Sequence, residues 1–134
     1  MSPERSYAHR PTFAKLGIKP GFRVCVLGSP RGFTASLAAP ADVAFTAKTV
    51  PRPDLILCFV SSRSQLAARL AILPGAVGER TCWLIWPKKA SGVTTDLDGN
   101  IVREAGLAAG LVDYKVCSVD ATWSGLAFKR RRGS

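Results

Sequence analysis

The sequence predicts an α/β domain: an open, mostly parallel sheet with helices on both faces and a last strand that runs antiparallel. Short apolar runs of strand length alternate with segments of helical period. The runs are too uniformly apolar for a sheet that keeps one face in water. A length of 134 residues fits one domain, which we place at 21–130, after an N-terminal arm over 1–20 and before a basic tail end at 131–134. A short helical turn near 12–16 is expected within the arm.

The strand predictions rest on apolar runs that are bounded by turn residues. Residues 54–60, DLILCFV, form the strongest of them, because a parallel strand buried on both faces needs a near-continuous apolar run. The last two strands are expected to pair antiparallel across a tight connection at 120–123. Besides 54–60, the predicted strands are 22–27, 41–46, 81–86, 114–119 and 125–129.

The prediction of a central helix rests on a capping residue and on the spacing of its apolar residues. Ser61-Ser62 precedes a helix over roughly 63–73, and Pro74-Gly75 is expected to end it. The apolar residues recur at i, i+4 and i+7 and predict an inward stripe of Leu66, Leu70 and Leu73.

Two further helices are predicted from their capping residues. Ser29 is expected to cap a short helix with Pro30 in its first turn. Thr95 is expected to cap another, with Asp98 three residues on and Gly106 as its stop. The apolar face of that helix is predicted to be Leu97, Ile101, Val102 and Ala105.

Charge is the feature that departs most from an average composition. Nineteen Lys and Arg against nine Asp and Glu give a net charge of +10. Residues 1–95 carry thirteen basic and four acidic side chains, 96–128 carry two and five, and the tail Lys129–Arg132 is basic throughout. Such a chain suits a nucleic acid, an anionic lipid or a phosphorylated ligand, although the same charge also serves solubility. No apolar stretch approaches the roughly 20 residues that cross a bilayer, so no membrane partner is expected.

The cysteines predict a reducing compartment. Cys25, Cys58, Cys82 and Cys117 each lie in an apolar run, without the close pairing that zinc ligands show, and His9 is the only histidine. We interpret them as four buried free thiols that act as small hydrophobes. The sequence therefore predicts no metal site and a cytoplasmic protein. No apolar core follows the N-terminus, so no secretory signal is expected.

A long motif string carries a resemblance to a known family. It runs from Trp86-Pro87-Lys88-Lys89 through Thr95-Asp96-Leu97, Gly110-Leu111-Val112-Asp113 and Asp120-x-x-Trp123-Ser124-Gly125-Leu126, and includes Leu16-Gly17-Ile18-Lys19-Pro20-Gly21. With these stretches, which span nearly the whole chain, the sequence resembles the bacterial family called domain of unknown function 3052. The resemblance implies a small bacterial α/β protein and brings no activity with it. The terminal antiparallel strand is also the arrangement of the methyltransferase-like branch of the Rossmann folds.

That topology raises the question of a dinucleotide or S-adenosylmethionine site. Such a site needs a glycine-rich turn after the first strand and an acid at the end of the second. Here the turn reads Gly28-Ser29-Pro30-Arg31-Gly32, with wider glycine spacing and a proline that removes a donor. Lys48-Thr49-Val50 ends the second strand without a carboxylate. We expect no cofactor, and a degenerate S-adenosylmethionine-dependent methyltransferase remains an alternative.

Catalytic constellations are not predicted either. His9 stands alone, so a Ser–His or Cys–His pair would require the arm to fold back. Helix capping and turns account for the clustered acids, which are Asp96, Asp98, Asp113 and Asp120. We therefore predict no catalytic residues and favour a protein that is not an enzyme.

The feature that points to a function is a set of loops that carry positive charge. If strands 22–27, 54–60 and 81–86 are parallel neighbours, the loops after them share the carboxyl edge of the sheet, where ligands of such sheets bind. We predict a non-catalytic, regulatory or accessory binding module for a small anionic ligand or an acidic protein. The predicted anion-binding residues are Ser29, Arg31, Ser62, Arg63, Lys88, Lys89 and Ser91. Structural roles for these serines as caps, with solvated lysines and arginines, are the competing interpretation.

A second function remains open. The tail residues Lys129, Arg130, Arg131 and Arg132 would contact phosphates if the protein were a non-specific nucleic-acid binder. Trp83, Trp86 and Trp123 are more typical of core or rim packing than of base stacking. Trp123 follows a turn, and it would offer an aromatic ring to such a partner if it is exposed.

Overall fold

The computed structural model describes residues 10–132, and these form one six-stranded sheet in the order β2-β1-β3-β4-β6-β5. β1, β3 and β4 are parallel neighbours, and β2 pairs parallel with β1. β6 runs antiparallel to β4, and β5 pairs antiparallel with β6 at the sheet edge. This confirms the predicted fold class. The strands are β1 (Arg23–Leu27), β2 (Ala44–Thr46), β3 (Leu55–Phe59), β4 (Thr81–Pro87), β5 (Leu111–Ser118) and β6 (Trp123–Arg130).

Short helices cover both faces of this sheet. In the described part of the chain they are α1 (Thr12–Lys15), α2 (Phe33–Ser36), α3 (Arg63–Leu70), α4 (Leu73–Val77) and α5 (Gly99–Ala108), with a 3₁₀ turn at Lys89–Ser91. No helix in this part of the chain is long and apolar enough to cross a membrane.

The centre of the molecule is β3, in which all five residues are buried. Ile56 and Cys58 face the layer that α3, α4 and α5 form. Leu55, Leu57 and Phe59 face the opposite layer, which contains α2 and the segment around α1. Two-sided burial explains why the 54–60 run is apolar throughout rather than alternating.

The segment around α1 covers part of the second face. The helical turn predicted near 12–16 is confirmed by α1. Leu16 and Ile18 retain only 1% and 3% of their accessible surface. The indole Nε1 of Trp83, a β4 residue, donates a hydrogen bond of 2.9 Å to the Leu16 carbonyl oxygen. This bond satisfies the one polar group of a fully buried ring and holds the segment against the sheet.

The helix predicted over 63–73 is divided in two. α3 ends at Leu70, and α4 begins at Leu73 with Pro74 in its first turn. The expectation that Pro74-Gly75 would end a helix was therefore wrong. Proline is tolerated in a first turn because its missing N–H has no intrahelical partner there.

The capping predictions are partly correct. Ser62 caps α3, since its hydroxyl accepts a hydrogen bond from the Gln65 N–H. α2, however, follows Gly32, which has a φ of 82°, so the cap predicted at Ser29 was wrong. Glycine takes this left-handed conformation without the steric cost that a side chain brings.

The cap predicted at Thr95 was also wrong. Asp98 caps α5 instead, and its carboxylate accepts a hydrogen bond of 2.9 Å from the Ile101 N–H. The Thr95 hydroxyl accepts from the Leu97 N–H and donates to the Ser61 carbonyl oxygen at 2.7 Å. Thr95 thus ties the loop before α5 to the loop after β3.

Gly106 does not end α5, because the helix continues to Ala108. Its function is steric: a Cβ there would lie 2.5 Å from Cε2 of Phe128, a fully buried β6 residue. The helix backbone therefore lies directly on an aromatic ring.

Strand β5 begins at Leu111, three residues earlier than predicted, and forms an edge of the sheet. Its ladder with β6 skips Tyr114, because Asp113 pairs with Phe128 and Lys115 pairs with Ala127. This β-bulge leaves Tyr114 54% exposed.

The contact between α5 and Phe128 generates a stability prediction. Gly106→Ala forces the helix and the ring apart, and we expect it to lower the free energy of unfolding by about 1–3 kcal/mol, as overpacking typically does. Gly99→Ala is the matched control, because its Cβ would meet Trp86 at an ordinary 3.5 Å. Urea unfolding of both variants measures the difference. Equal stability of the two variants would contradict the close packing of Gly106 on Phe128.

Candidate functional site

The loops after β1, β3 and β4 lie side by side at the carboxyl edge of the sheet, because these strands are parallel neighbours. The chain leaves β1 toward α2 on one face, and it leaves β3 toward α3 on the other. A crevice opens where successive connections leave a sheet on opposite faces. The position between β1 and β3 is therefore where ligand binding is expected in such a sheet.

A cleft of about 280 Å³ lies at this position. Gly28 contributes from the β1 side, and residues 59–61 contribute from the β3 side. The wall also contains Gln65 and Arg69 of α3 and Trp123 at the start of β6. The cleft thus combines two loops, one helix and an aromatic residue from the antiparallel end of the sheet.

Gly28 lets the two loops approach closely. Its φ is +71°, and a Cβ there would lie 2.9 Å from the carbonyl oxygen of Phe59. No side chain fits into this space without moving the backbone of the β3 loop. A glycine-rich turn in such a fold is expected to contact a ligand, whereas the nearest obstacle at Gly28 is protein backbone.

Arg69 carries the positive charge of the cleft. Its Nη2 atom lies 3.8 Å from the position of a Cβ at Gly28, so the guanidinium reaches the end of β1. The residue is half-buried. Within residues 10–132, its side chain makes no hydrogen bond and lies within salt-bridge distance of no carboxylate; the ion pairs found there are Arg80–Asp54 and Arg103–Asp113. A half-buried cation without an internal partner is costly unless it is solvated or binds an anion.

Arg69 was not among the predicted site residues, although a signal was present. It lies three residues after Leu66 and four before Leu73, on the same face as the predicted apolar stripe. An arginine at that position of an inward face either loses its hydration or pairs with an anion. The predicted cations all came from loops and helix starts, so a cation within a helix was overlooked.

An aromatic cluster forms the opposite side of the cleft. The rings of Phe59 and Trp123 meet edge to face with centroids 5.0 Å apart, and Phe33 meets Phe59 in the same way at 4.7 Å. Trp123 is half-buried, which agrees with rim packing rather than with an exposed stacking ring. Its position is fixed by Asp120, whose carboxylate accepts hydrogen bonds from the N–H groups of Thr122 and Trp123.

The predicted loop cations after β4 make internal contacts. The Lys88 ammonium donates to the Ser118 hydroxyl at 2.6 Å and to the Asp120 carbonyl oxygen at 2.7 Å. The Ser91 hydroxyl donates to the Lys88 carbonyl oxygen at 2.6 Å. These contacts join the β4 loop to the connection between β5 and β6. Lys89 is exposed.

The N-terminus of α3 already holds an internal anion. The Arg63 N–H donates to the Asp96 carboxylate at 2.9 Å, and the Ser62 hydroxyl accepts from the Gln65 N–H. Two of the backbone donors that we predicted for an external ligand at this helix, the N–H groups of Arg63 and Gln65, therefore have partners. The Arg63 side chain lines a separate groove between α3 and α5.

The β1 loop is the most open of the three. Ser29 is half-buried and Arg31 is exposed. In the described residues, the N–H groups of Ser29, Arg31 and Gly32 donate to no protein acceptor, whereas the next residue, Phe33, donates to the Pro30 carbonyl oxygen. Within that part of the chain, three backbone donors and one cation thus remain free beside Gly28.

The features that other chemistries need are missing from the described part of the chain. β2 ends at Thr46, and Ala47 and Lys48 follow it, so no carboxylate stands where a ribose would be held. No group of three His, Cys, Asp or Glu side chains there forms a metal site. His9 lies outside the described residues.

The cysteines are confirmed as buried free thiols. Burial raises the pKa of Cys58 to about 12, against a smaller lowering by the nearby Arg69 charge. Burial also raises the pKa of Cys82 to about 12. Both thiols remain protonated at neutral pH and are poor nucleophiles.

The predicted nucleic-acid tail lies at the other end of the strands. β6 continues to Arg130, whose guanidinium donates to the Pro74 carbonyl oxygen at 3.3 Å. The Arg131 guanidinium donates to the Leu107 carbonyl oxygen at 2.9 Å. These residues are therefore attached to the domain, at the amino edge of the sheet and opposite the cleft.

Comparisons with solved structures agree with this topology. A release-factor-specific protein-(glutamine-N5) methyltransferase from Alicyclobacillus acidocaldarius shares 16% identity over 98% of each chain, with a TM-score of 0.54. DhpI, solved with SAH, shares 12% identity over 96% of this chain and 87% of its own, with a TM-score of 0.61. The fold is that of Rossmann-like methyltransferases. At these identities the likeness concerns the fold alone.

A third similar structure is not described as a methyltransferase. A protein of the NADB-Rossmann superfamily from Streptococcus agalactiae shares 10% identity over 93% of this chain and 69% of its own, with a TM-score of 0.55. No protein-family model matches the chain, and no curated protein matches it.

The buried thiols generate a pH prediction. Because the folded pKa of Cys58 and of Cys82 is about 12 and the ordinary value is 9.0, the unfolded chain loses these protons first as the pH rises. Their contribution to stability is complete below pH 9 and is lost progressively between about pH 9 and 12. Urea unfolding at pH 8 and at pH 10.5 measures the loss.

A thiol reagent tests the same burial at pH 8. We expect dithionitrobenzoate to leave the native protein unlabelled and to label four thiols in guanidinium chloride. Rapid labelling of Cys58 in the native protein would contradict the burial at β3.

Proposed function

We propose that the protein is a non-catalytic binding module whose ligand is a small anion held by Arg69 in the carboxyl-edge cleft. The observation that carries the proposal is the half-buried guanidinium of Arg69, which has no carboxylate partner in the described chain and lies 3.8 Å from the Cβ position at Gly28. A phosphate, sulfate or carboxylate group at this point would supply the missing countercharge.

The chemistry of the cleft suits a planar or tetrahedral oxyanion. A guanidinium offers parallel donors that match two oxygens of a phosphate or carboxylate. The free N–H groups of Ser29, Arg31 and Gly32 lie in the adjacent loop and add neutral donors. The rings of Phe59 and Trp123 offer an apolar wall for the remainder of the ligand.

The size of the cleft favours a ligand smaller than a complete nucleotide cofactor. Its volume of about 280 Å³ lies at the lower limit of the roughly 300–1,000 Å³ found for pockets that enclose drug-sized molecules. We therefore expect an anionic group with a small organic part.

A degenerate methyltransferase is the second candidate, and the fold supports it. The cleft occupies the crevice that ligands use in such sheets. The Lys48 that follows β2 in place of an acid speaks against a site that holds a ribose. S-adenosylmethionine therefore belongs in any ligand panel.

The loop residues remain predictions alongside Arg69. Of the seven, Ser29 and Arg31 flank the open β1 loop and are the members we favour as additional contacts. Ser62, Lys88, Lys89 and Ser91 are retained as predicted anion-binding residues of the wider edge, whereas the Arg63 side chain lines the groove between α3 and α5 and is not proposed to contact this anion. Membership of the domain of unknown function 3052 family also stays a prediction.

A thermal-shift experiment tests the anion site. A ligand that binds only the folded state stabilises it by about 2.7 kcal/mol at one hundred times its Kd, which corresponds to a rise of several degrees in Tm for a domain of this size. We expect phosphate, sulfate or a small phosphorylated compound to raise Tm at constant ionic strength. Arg69→Ala should abolish the rise.

Arg63→Ala is the matched control for this experiment. Both arginines lie on α3, but Arg63 is exposed and lines a different groove, so removing it tests for a general effect of charge. We expect Arg63→Ala to reduce the rise far less than Arg69→Ala does. An unchanged rise in Arg69→Ala, or no rise with any member of the panel, would refute the proposed site. A Tm rise with S-adenosylmethionine, confirmed by calorimetry, would instead favour the methyltransferase.

A further inference from the structure

A broad concavity of the described chain lies at the amino edge of the sheet, opposite the cleft. It has a volume of about 770 Å³ and lies between the C-terminus of β6 and the ends of α4 and α5. Glu79 is the one acidic residue in its wall. The cations that line it are Lys129, Arg130, Arg131 and Arg132.

Internal contacts divide these cations into two pairs. Arg130 and Arg131 donate to backbone carbonyl oxygens of Pro74 and Leu107, so their main role is to hold β6 against the helices. Lys129 and Arg132 are exposed, and neither side chain donates a hydrogen bond to another described residue. The first pair fixes the shape of the groove, and the second pair leaves two charges available at this edge of the sheet.

Two further arginines extend the basic surface beyond the tail. Arg52 packs on Gly78 in the wall of the groove, and its guanidinium donates to the carbonyl oxygens of Gly75 and Ala76. Arg80 follows Glu79 and pairs with Asp54 at 3.4 Å, with 55% of its side chain exposed. Cations from three separate parts of the sequence therefore meet at one edge of the sheet.

An exposed aromatic ring lies at the same end of the strands, on the face of the sheet opposite α4 and α5. Tyr114, the bulged residue of β5, is 54% exposed, and the Lys129 ammonium lies 5.4 Å from its ring centroid. Its hydroxyl lies 2.8 Å from the Thr81 hydroxyl at the start of β4. Tyr114 thus reaches across β6 to the same end of the strands as the cations, and its ring orientation is fixed from two sides.

We propose that this amino edge of the sheet binds single-stranded nucleic acid, which passes from Arg132 at the groove to Lys129 and stacks a base on the ring of Tyr114 on the other face. Proteins that bind single strands without sequence preference combine a basic groove with aromatic rings on which bases stack. A stacking ring distinguishes this partner from an acidic peptide or a lipid headgroup, which offer charge without a planar base. The proposal is independent of the anion site at the opposite edge.

The test uses a fluorescent 20-nucleotide thymidine oligomer and the whole chain, titrated at several salt concentrations. Lys129→Ala/Arg132→Ala removes the two available charges and leaves the carbonyl contacts of Arg130 and Arg131 intact. We expect weaker binding and a slope of log affinity against log salt that is flatter by about 0.7 for each phosphate that the variant no longer neutralises. Tyr114→Ala should weaken binding about fivefold or more, whereas Tyr114→Phe retains the ring and should bind like the unchanged protein.

Lys19→Ala/Lys48→Ala is the matched control for charge. Both lysines are exposed, and their side chains donate no hydrogen bond to another described residue. They lie before β1 and after β2, away from β6. Circular dichroism and Tm establish that each variant is folded. Equal weakening by the two double variants, an unchanged affinity in Tyr114→Ala, or equal binding of duplex DNA or of anionic vesicles would each overturn the proposal, as would undetectable binding at low salt.

Discussion

Burial of β3 on both of its faces is the constraint on which the rest of the structure depends. Each apolar side chain withdrawn from water contributes roughly 1.5–3 kcal/mol, and five consecutive residues of β3 are withdrawn. Both faces of the sheet must therefore be covered. Helices α3 to α5 cover one face, whereas the other depends on four-residue helices and on Leu16 and Ile18. In the described residues the covering elements are short, and the candidate sites lie at the ends of strands.

Features that depend on local chemistry could be predicted from the sequence. The strand at 54–60 was predicted because two-sided burial requires an uninterrupted apolar run, and Ser62 was identified because a serine before an apolar-periodic segment is a common helix cap. The wrong predictions concern which residue caps α5 and what Gly106 does. Asp98 rather than Thr95 caps α5, and Gly106 lies under a ring that is distant in sequence. Because Phe128 lies on β6, the residues next to Gly106 in the sequence give no indication of this contact.

In the candidate site, too, the features that depend on distant parts of the chain are the ones that could not be predicted. Topology predicted the carboxyl edge correctly as the place where the loops meet, because that follows from strand order alone. The charge that distinguishes the cleft belongs to Arg69, whose separation from Gly28 is set by how α3 lies on the sheet. Conversely, Lys88 resembled a free loop cation in the sequence, and its bonds to Ser118 and Asp120 arise only once β5 and β6 are folded.

At both edges of the sheet, charged side chains bind polar groups of the protein itself. At the carboxyl edge, Asp96 satisfies the Arg63 N–H and Lys88 binds a hydroxyl and a carbonyl oxygen. At the amino edge, Arg130 and Arg131 satisfy carbonyl oxygens of α4 and of the last turn of α5. Arg131, beside the C-terminus of α5, also opposes the macrodipole of that helix. A large share of the net positive charge is thus structural, and the cations without internal partners in the described chain are the ones available to a ligand.

The bulge at Tyr114 has a consequence for how copies of this protein behave toward one another. β5 is an eight-residue edge strand that exposes Val112 and Val116, the kind of surface that recruits further strands and leads to fibrous aggregates. A regular strand there would present an evenly spaced row of backbone donors and acceptors. The extra residue between Asp113 and Lys115 interrupts that spacing and twists the strand locally, so a second sheet cannot align along its full length. One irregular residue thereby disfavours pairing between the sheet edges of neighbouring molecules.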